Sequence, residues 1–161
     1  MKQAGIITIG DELLIGQVID TNSAWIGVEL NKIGIAVNQR LAVGDDASEI
    51  IRAIDETKSN CDIILITGGL GPTKDDITKK TLATYFNTAL VVNEEVLSDV
   101  TRFFERLNRP LTEVNRQQAL VPHNCRVIKN SLGTAPGMWF TADGKYFISM
   151  PGVPFEMKAM M

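Results

Sequence analysis

The chain has 161 residues, 45% of them hydrophobic and 22% charged, with a net charge of −3. This is one ordinary globular domain, long enough to bury roughly 70% of the surface its unfolded form exposes, and its scattered basic residues exclude a broad nucleic-acid surface. Cys61 and Cys125 without close spacing, and a single histidine, exclude a structural zinc site; with no apolar run of membrane-spanning length, the expectation is a soluble, cytoplasmic protein with no membrane partner.

In chain order, AGIITIG (4–10) is a continuous apolar run closed by glycine, the pattern of a strand buried on both faces. After a loop, DTNSAWIGVELNKIGI sets Trp25, Ile26, Val28, Leu30 and Ile33 at largely helical spacing. Asp20 or Thr21 serves as N-cap and Gly34 as the stop. IAVNQRLAV alternates like a strand, and Asp46 with Glu49 three residues on forms a capping-box pattern ahead of a second helix, IIRAIDETK. DIILIT is the most apolar strand, and a glycine loop carries it into a helix over DDITKKTLATYF. Asn93 caps the next helix, EEVLSDVTRFFERLN, with Val96, Val100, Phe103, Phe104 and Leu107 on one face. This alternation predicts an α/β domain whose mainly parallel sheet is covered on both faces. The last third differs. MWFTADGKYFISM holds two apolar runs around Asp143-Gly144, a hairpin signal that makes at least one strand antiparallel. PGVPFEMKAMM reads as a turn and the first turns of a helix with Pro154 at its first position, and the expectation is a segment of a longer protein.

The segment TGGLGPTKDD (67–76) raises the question of chemistry. A strand that runs into glycines and then a helix gathers backbone N–H groups and the positive end of a helix dipole, a setting that binds anions. Neither common phosphate signature is met. A Walker A loop needs glycine at Thr73 and Ser or Thr at Asp75, and the third glycine of a dinucleotide fingerprint is Lys74. A tight turn explains the glycines alone equally well. Their company favours a phosphate: Thr67 and Thr73 supply hydroxyls, Lys74 a cation, and Gly68, Gly69, Leu70 and Gly71 their backbone. Asp75 and Asp76, at the start of the next helix, either cap it or stand beside a bound phosphate. In the second case a divalent cation of the magnesium type is needed to offset the repulsion.

Ligands of open α/β sheets gather beyond the carboxyl ends of the strands. Three strands end there in acids: Asp11 and Glu12, Asp45 and Asp46, Asp75 and Asp76. Each pair alone reads as a solvated loop or a cap. Together with the glycine loop they suit metal-assisted attack on a phosphoanhydride. A second glycine element, NSLGTAPGMWF, offers Ser131, Gly133 and Thr134 as further phosphate contacts, and a sharp bend before a strand explains it equally well.

Taken together, GDELLIGQVIDTN, TGGLGPTKDD, NSLGTAPG and MPGVPFEM, in this order and over almost the whole chain, resemble the N-terminal domain of the CinA competence/damage-inducible protein family. That domain is similar to the MoaB/MogA molybdopterin-binding fold. The resemblance implies a three-layer α/β/α sandwich with a mixed, mostly parallel sheet over residues 1–161. It also implies truncation at the C-terminal end and the absence of the deamidase domain that many relatives carry. The family's Gly-Gly-x-Gly loop falls on Gly68, Gly69 and Gly71, and its functional aspartates on Asp76 and Asp45. Its first-loop aspartate and glycine fall on Asp11 and Gly16, a further aspartate on Asp20, and its Pro-Gly-x-Pro element on Pro151, Gly152 and Pro154. The implied activity is a divalent-metal-dependent pyrophosphatase that splits ADP-ribose into AMP and ribose 5-phosphate, in a homo-oligomer.

The expectation is therefore an enzyme in which Mg²⁺ or a similar ion is held by some of Asp11, Glu12, Asp45, Asp75 and Asp76. Asp76 orients or deprotonates the attacking water, Asp45 is the second functional acid, and Lys74 belongs to the loop from Gly68 that grips the pyrophosphate. Gly68, Gly69, Leu70, Gly71 and Thr73, with Ser131, Gly133 and Thr134, hold the phosphates. The alternative is a binding module that takes a pterin phosphate or nucleotide without turning it over, and a third reading is an interaction domain of a larger competence protein. Metal-dependent release of AMP separates the first from the others.

Overall fold

The computed structural model describes residues 2–161. β1 (Gln3–Ile9) leads through a short helix, α1 (Asp11–Leu14), to α2 (Thr21–Lys32), and β2 (Ala36–Val43) to α3 (Ala47–Asn60). β3 (Ile63–Thr67) is followed by α4 (Thr78–Tyr85), and β4 (Leu90–Val92) by α5 (Glu94–Arg106). A short α6 (Glu113–Arg116) and a 3-10 turn (Gln117–Ala119) lead into β5 (Leu120–Pro122) and β6 (Arg126–Ile128). The hairpin β7 (Gly137–Ala142) and β8 (Lys145–Met150) precedes α7 (Pro154–Met160).

Six strands form the main sheet in the order β2-β1-β3-β8-β7-β6. β2, β1, β3 and β8 are parallel neighbours, and β7 runs antiparallel to both β8 and β6. The central strands are apolar on both faces because both are covered. Ile7, Ile64 and Ile66 pack with Ile50 and Ile54 of α3 and Leu82 of α4. On the other face, Ile6 and Leu65 pack with Ile26 and Leu30 of α2 and Met157 of α7. The result is the expected three-layer sandwich with a mixed, mostly parallel sheet.

Local signals explain most boundaries. Asp20 caps α2 by accepting the Ser23 N–H at 2.9 Å, and Asn93 caps α5 by accepting that of Val96 at 3.0 Å. The hairpin turns at Asp143, held at φ +52°, and Gly144, as a two-residue primed turn requires.

Several expectations change in detail. Val28, Ile33 and Leu107 are 56%, 71% and 50% exposed, so they lie off the buried stripes assigned to them. The Asp46 pattern is half a capping box: Asp46 accepts from Ser48 and Glu49 N–H, but the Glu49 carboxylate accepts from Gly44 N–H at 3.3 Å instead of returning to Asp46. α4 starts only at Thr78 with no side-chain cap, so Asp75 and Asp76 belong to the preceding turn. The loop after β1 contains α1, and β4 pairs with β5 as a separate antiparallel ribbon. No described helix is long and apolar enough to cross a membrane.

Candidate functional site

The loops leaving β1, β2, β3 and β8 meet at one end of the sheet and enclose a cleft with two lobes. The lobes share Ile9, Glu12, Gly69 and Asp76. A glycine lobe of about 370 Å³ is walled by Gly68 to Gly71, Thr134 and Pro151 to Val153. An acidic lobe of about 430 Å³ is walled by Asp11, Asp45 and Asp75. The three acidic loops predicted to converge therefore do converge, and on the glycine loop.

Backbone contact sets the shape of the glycine lobe. Gly68 has φ +110°, and a Cβ there would stand 2.2 Å from the Ile9 carbonyl oxygen. A Cβ on Gly69 would stand 2.1 Å from Thr78 Oγ1, and one on Gly152 would stand 3.2 Å from Gly68 Cα. The loop is thus clamped between the end of β1, the start of α4 and the turn after β8, with no room for side chains. Two bonds fix it: Gly68 N–H donates to the Met150 carbonyl at 3.1 Å and Thr78 N–H to the Gly69 carbonyl at 3.2 Å. The N–H groups of Gly69, Leu70 and Gly71 reach no backbone carbonyl among the described residues, which leaves them for an anion. Thr67 serves the scaffold instead of the ligand. Its hydroxyl donates to the Pro151 carbonyl at 3.0 Å and accepts from Asn22 Nδ2, which also donates to the Gly152 carbonyl at 2.8 Å.

The acids are tied to one another through the backbone. Asp45 N–H donates to Asp11 Oδ1 at 3.0 Å, and Asp11 N–H donates to Asp45 Oδ2 at 3.2 Å, which locks the loops after β1 and β2 together. Asp76 Oδ2 accepts the Thr73 N–H at 3.0 Å and the Thr73 hydroxyl, closing the turn from Gly71. Asp76 Oδ1 accepts no bond from the described residues. Partial burial, followed by the charges of Asp11, Glu12 and Asp76, raises the Asp45 carboxyl above its ordinary 3.8, against the Asp11 N–H, which lowers it.

A carboxyl that binds its proton more tightly when folded adds stability below its unfolded value and loses that contribution as pH rises through the folded one. Ionised Asp45 is accordingly a destabilising charge at neutral pH. Asp45→Asn, whose Oδ1 can still accept the Asp11 N–H, is expected to raise the melting temperature at pH 7. Below pH 3.8 the advantage should vanish, and melting curves of both proteins across pH check this.

The cleft carries six carboxylates, Asp11, Glu12, Asp45, Asp75, Asp76 and Glu156, and neither lobe is lined by Lys, Arg or His. Lys74 is exposed and outside both linings, so the expected cationic grip is not at the cleft. Thr73 is likewise outside and is engaged by Asp76. Thr134 lines the glycine lobe, but Ser131 and Gly133 face a separate surface groove beside Arg102 and Phe103. Asp46 caps α3. Gln118 and Glu156, which sequence reasoning passed over, both line the glycine lobe.

Among the described residues, no three His, Cys, Asp or Glu side chains are placed to hold a metal ion by themselves. The donor set does not form a resident cage. It fits a hard cation of the magnesium type that takes one or two carboxylates, keeps its waters and arrives with phosphate oxygens.

A family model described as a probable molybdopterin binding domain matches residues 5–161. A CinA-like protein of Flavobacterium psychrophilum is 53% identical over 160 residues, covering 99% of this chain and 38% of its own length. This chain thus spans well under half of that relative. The crystal structure of the protein CinA from Thermoplasma acidophilum matches with a TM-score of 0.88 at 37% identity, over 98% of this chain and 92% of that one. The tungsten cofactor synthesizing protein MoaB from Pyrococcus furiosus matches with a TM-score of 0.62 at 22% identity, over 98% and 86%, and shares the fold. Family model, close relative and fold agree over the full length of the sandwich: the chain belongs to the CinA family and carries its molybdopterin-binding-type domain.

Proposed function

We propose that the cleft hydrolyses the phosphoanhydride of a nucleoside diphosphate ester, with ADP-ribose as substrate and AMP and ribose 5-phosphate as products. One observation carries this reading. An anion receptor made of backbone N–H groups opens onto a wall of carboxylates with no basic side chain, so a phosphate can settle there only with a cation.

On the acidic side one or two of Asp11, Glu12 and Asp45 would hold a divalent ion that keeps its waters and takes the phosphate oxygens as further ligands. When bound, it supplies charge neutralisation on the phosphate oxygens. Gly69, Leu70 and Gly71 offer N–H donors to the phosphate on the other side and to the charge that grows on it during attack. Asp76, shared by both lobes, orients a water with its unengaged Oδ1 and takes its proton. The water oxygen bonds to phosphorus, the bridging P–O bond breaks, and the departing phosphate leaves with that bond's electrons.

The competing reading is a non-catalytic site for a pterin phosphate or nucleotide, favoured by the description of the matching family model. Incubation of the chain with ADP-ribose, with Mg²⁺ and after chelation, decides between them. AMP released only with metal supports hydrolysis; tight binding without release supports the module.

A further inference from the structure

The turn between α1 and α2 carries an uncovered apolar surface. Leu14, Ile15, Val18 and Ile19 are 53%, 70%, 52% and 81% exposed. The turn is shaped by its own backbone: Ile15 N–H donates to the Asp11 carbonyl at 3.1 Å and Val18 N–H to the Glu12 carbonyl at 3.2 Å. Within it, a Cβ on Gly16 would meet nothing within 4 Å. It is a preformed knob, apolar along the turn and acidic at its base, where Asp11 and Glu12 are exposed. Contiguous exposed apolar surface rimmed by polar groups marks a contact with another molecule.

A complementary surface lies towards the other end of the sheet. A groove of about 560 Å³ runs between α5 and the loop after β6, lined by Arg102, Phe103, Arg106, Lys129, Asn130 and Ser131. Phe103 supplies apolar surface, with the Arg106 guanidinium 5.9 Å from its ring centre. Of the acids in the lining, Asp99 is taken up by Lys129 at 3.0 Å. Arg102 and Arg106 form no ion pair among the described residues, so the groove carries an excess of positive charge. Leu107 and Leu132, next in the chain to Arg106 and Ser131, are 50% and 46% exposed. β6 forms one edge of the sheet and packs on α5 through Val127, whereas the knob follows β1, beside β2 at the opposite edge. At about 4.8 Å per strand, the four steps from β1 to β6 span roughly 19 Å. A knob is therefore too far from the groove of its own molecule to fill it.

We propose that the knob of one copy of this chain seats Ile15 and Ile19 against Phe103 in the groove of a second copy, with Asp11 and Glu12 facing Arg102 and Arg106. Apolar surface meets apolar surface, and opposite charges meet around it. Two knobs packed together would instead bring Asp11 and Glu12 of both copies face to face, an unfavourable juxtaposition of like charges. The two patches differ, so each copy offers one knob and one groove. The contact does not depend on what the cleft binds.

Sedimentation velocity after chelation, across a range of protein and salt concentrations, tests it. The wild-type chain should associate, and more weakly as salt screens the charge pairs. Ile19→Lys sets a cation against the two arginines, and Arg102→Glu/Arg106→Glu turns the groove acidic. Each should weaken association by about tenfold or more. The three side chains are exposed, so both variants should keep the wild-type melting temperature. Ile19→Leu, which keeps the knob apolar, should associate like wild type.

The deciding arm is a mixture of the two weakened variants. Each lacks a different half of the contact, so the groove of Ile19→Lys accepts the knob of Arg102→Glu/Arg106→Glu and a one-to-one complex forms. A wild-type chain that stays monomeric overturns the proposal, as does a mixture that stays monomeric while both variants melt like wild type. Association lost in Ile19→Lys but untouched by the arginine changes also overturns it, since knobs would then pack on each other. Should either variant melt lower, the milder pair Ile19→Ser and Arg102→Gln/Arg106→Gln repeats the mixture under the same criteria.

Discussion

Asp76→Asn is expected to lower turnover of ADP-ribose by about 10²- to 10⁴-fold, the usual worth of a positioned general base, while leaving the melting temperature nearly unchanged. The two halves of this prediction come from the two oxygens of one side chain. Oδ2 closes the Gly71 to Asp76 turn by accepting from the Thr73 N–H and hydroxyl, and an asparagine oxygen can do the same. Oδ1 has no partner among the described residues, and replacing it with an amide removes the group proposed to take the water's proton. Turnover and thermal melting measured on the same preparation check both halves. Wild-type turnover would remove Asp76 from the reaction, and a large fall in melting temperature would show that its role is to hold the turn.

The largest effect on stability is expected from Gly68→Ala. Alanine must adopt φ +110° there, and its Cβ would lie 2.2 Å from the Ile9 carbonyl oxygen, a backbone atom that cannot rotate away. Left-handed backbone strain of about 1–2 kcal/mol and overpacking of about 1–3 kcal/mol together predict a loss of roughly 3 kcal/mol. For a chain of this length that is a fall in melting temperature of roughly 6 to 12 °C. Gly16→Ala is the control: φ is +77° but nothing lies within 4 Å of the added methyl, so only the strain remains. A Gly68→Ala loss no larger than that of Gly16→Ala would show that the loop can move off β1, contrary to a rigid receptor.

The parts of the fold legible in the sequence were those with local causes. The apolar runs of β1 and β3, the caps at Asp20 and Asn93, and the Asp143-Gly144 turn each carry their signal within a few residues. The three acidic loops were legible too, because parallel strands bring their carboxyl ends to one edge. What escaped depended on distant partners. β4 and β5 are three residues each and exist only by pairing with one another. Thr67 read as a ligand hydroxyl, but its partners come from residues 84 positions later and from α2. Lys74 sits amid the right motif, yet Asp76 draws the turn closed and leaves the lysine in solvent. Gln118 had no signal, since the stretch from Asn108 to Ala119 shows no helical or strand period. Glu156 had a weak one, an acid in the first turn of α7, which a helix start explains by itself.

β8 occupies the middle of the sheet, between β3 and β7, although it is the last strand of the chain. During synthesis, β1, β2 and β3 are available to pair as soon as they emerge. The free edge of β3, the apolar run IILIT, then waits for residues 145–150. An unpaired apolar edge of this kind invites pairing with other chains. Nascent chains arrested before Lys145 are therefore expected to be held by chaperones and readily cut by proteases, and those arrested well past Met150 to be resistant. The clamp around Gly68 closes at the same moment, because Met150 and Gly152 form part of it, so the ligand cleft and protection from aggregation arrive together.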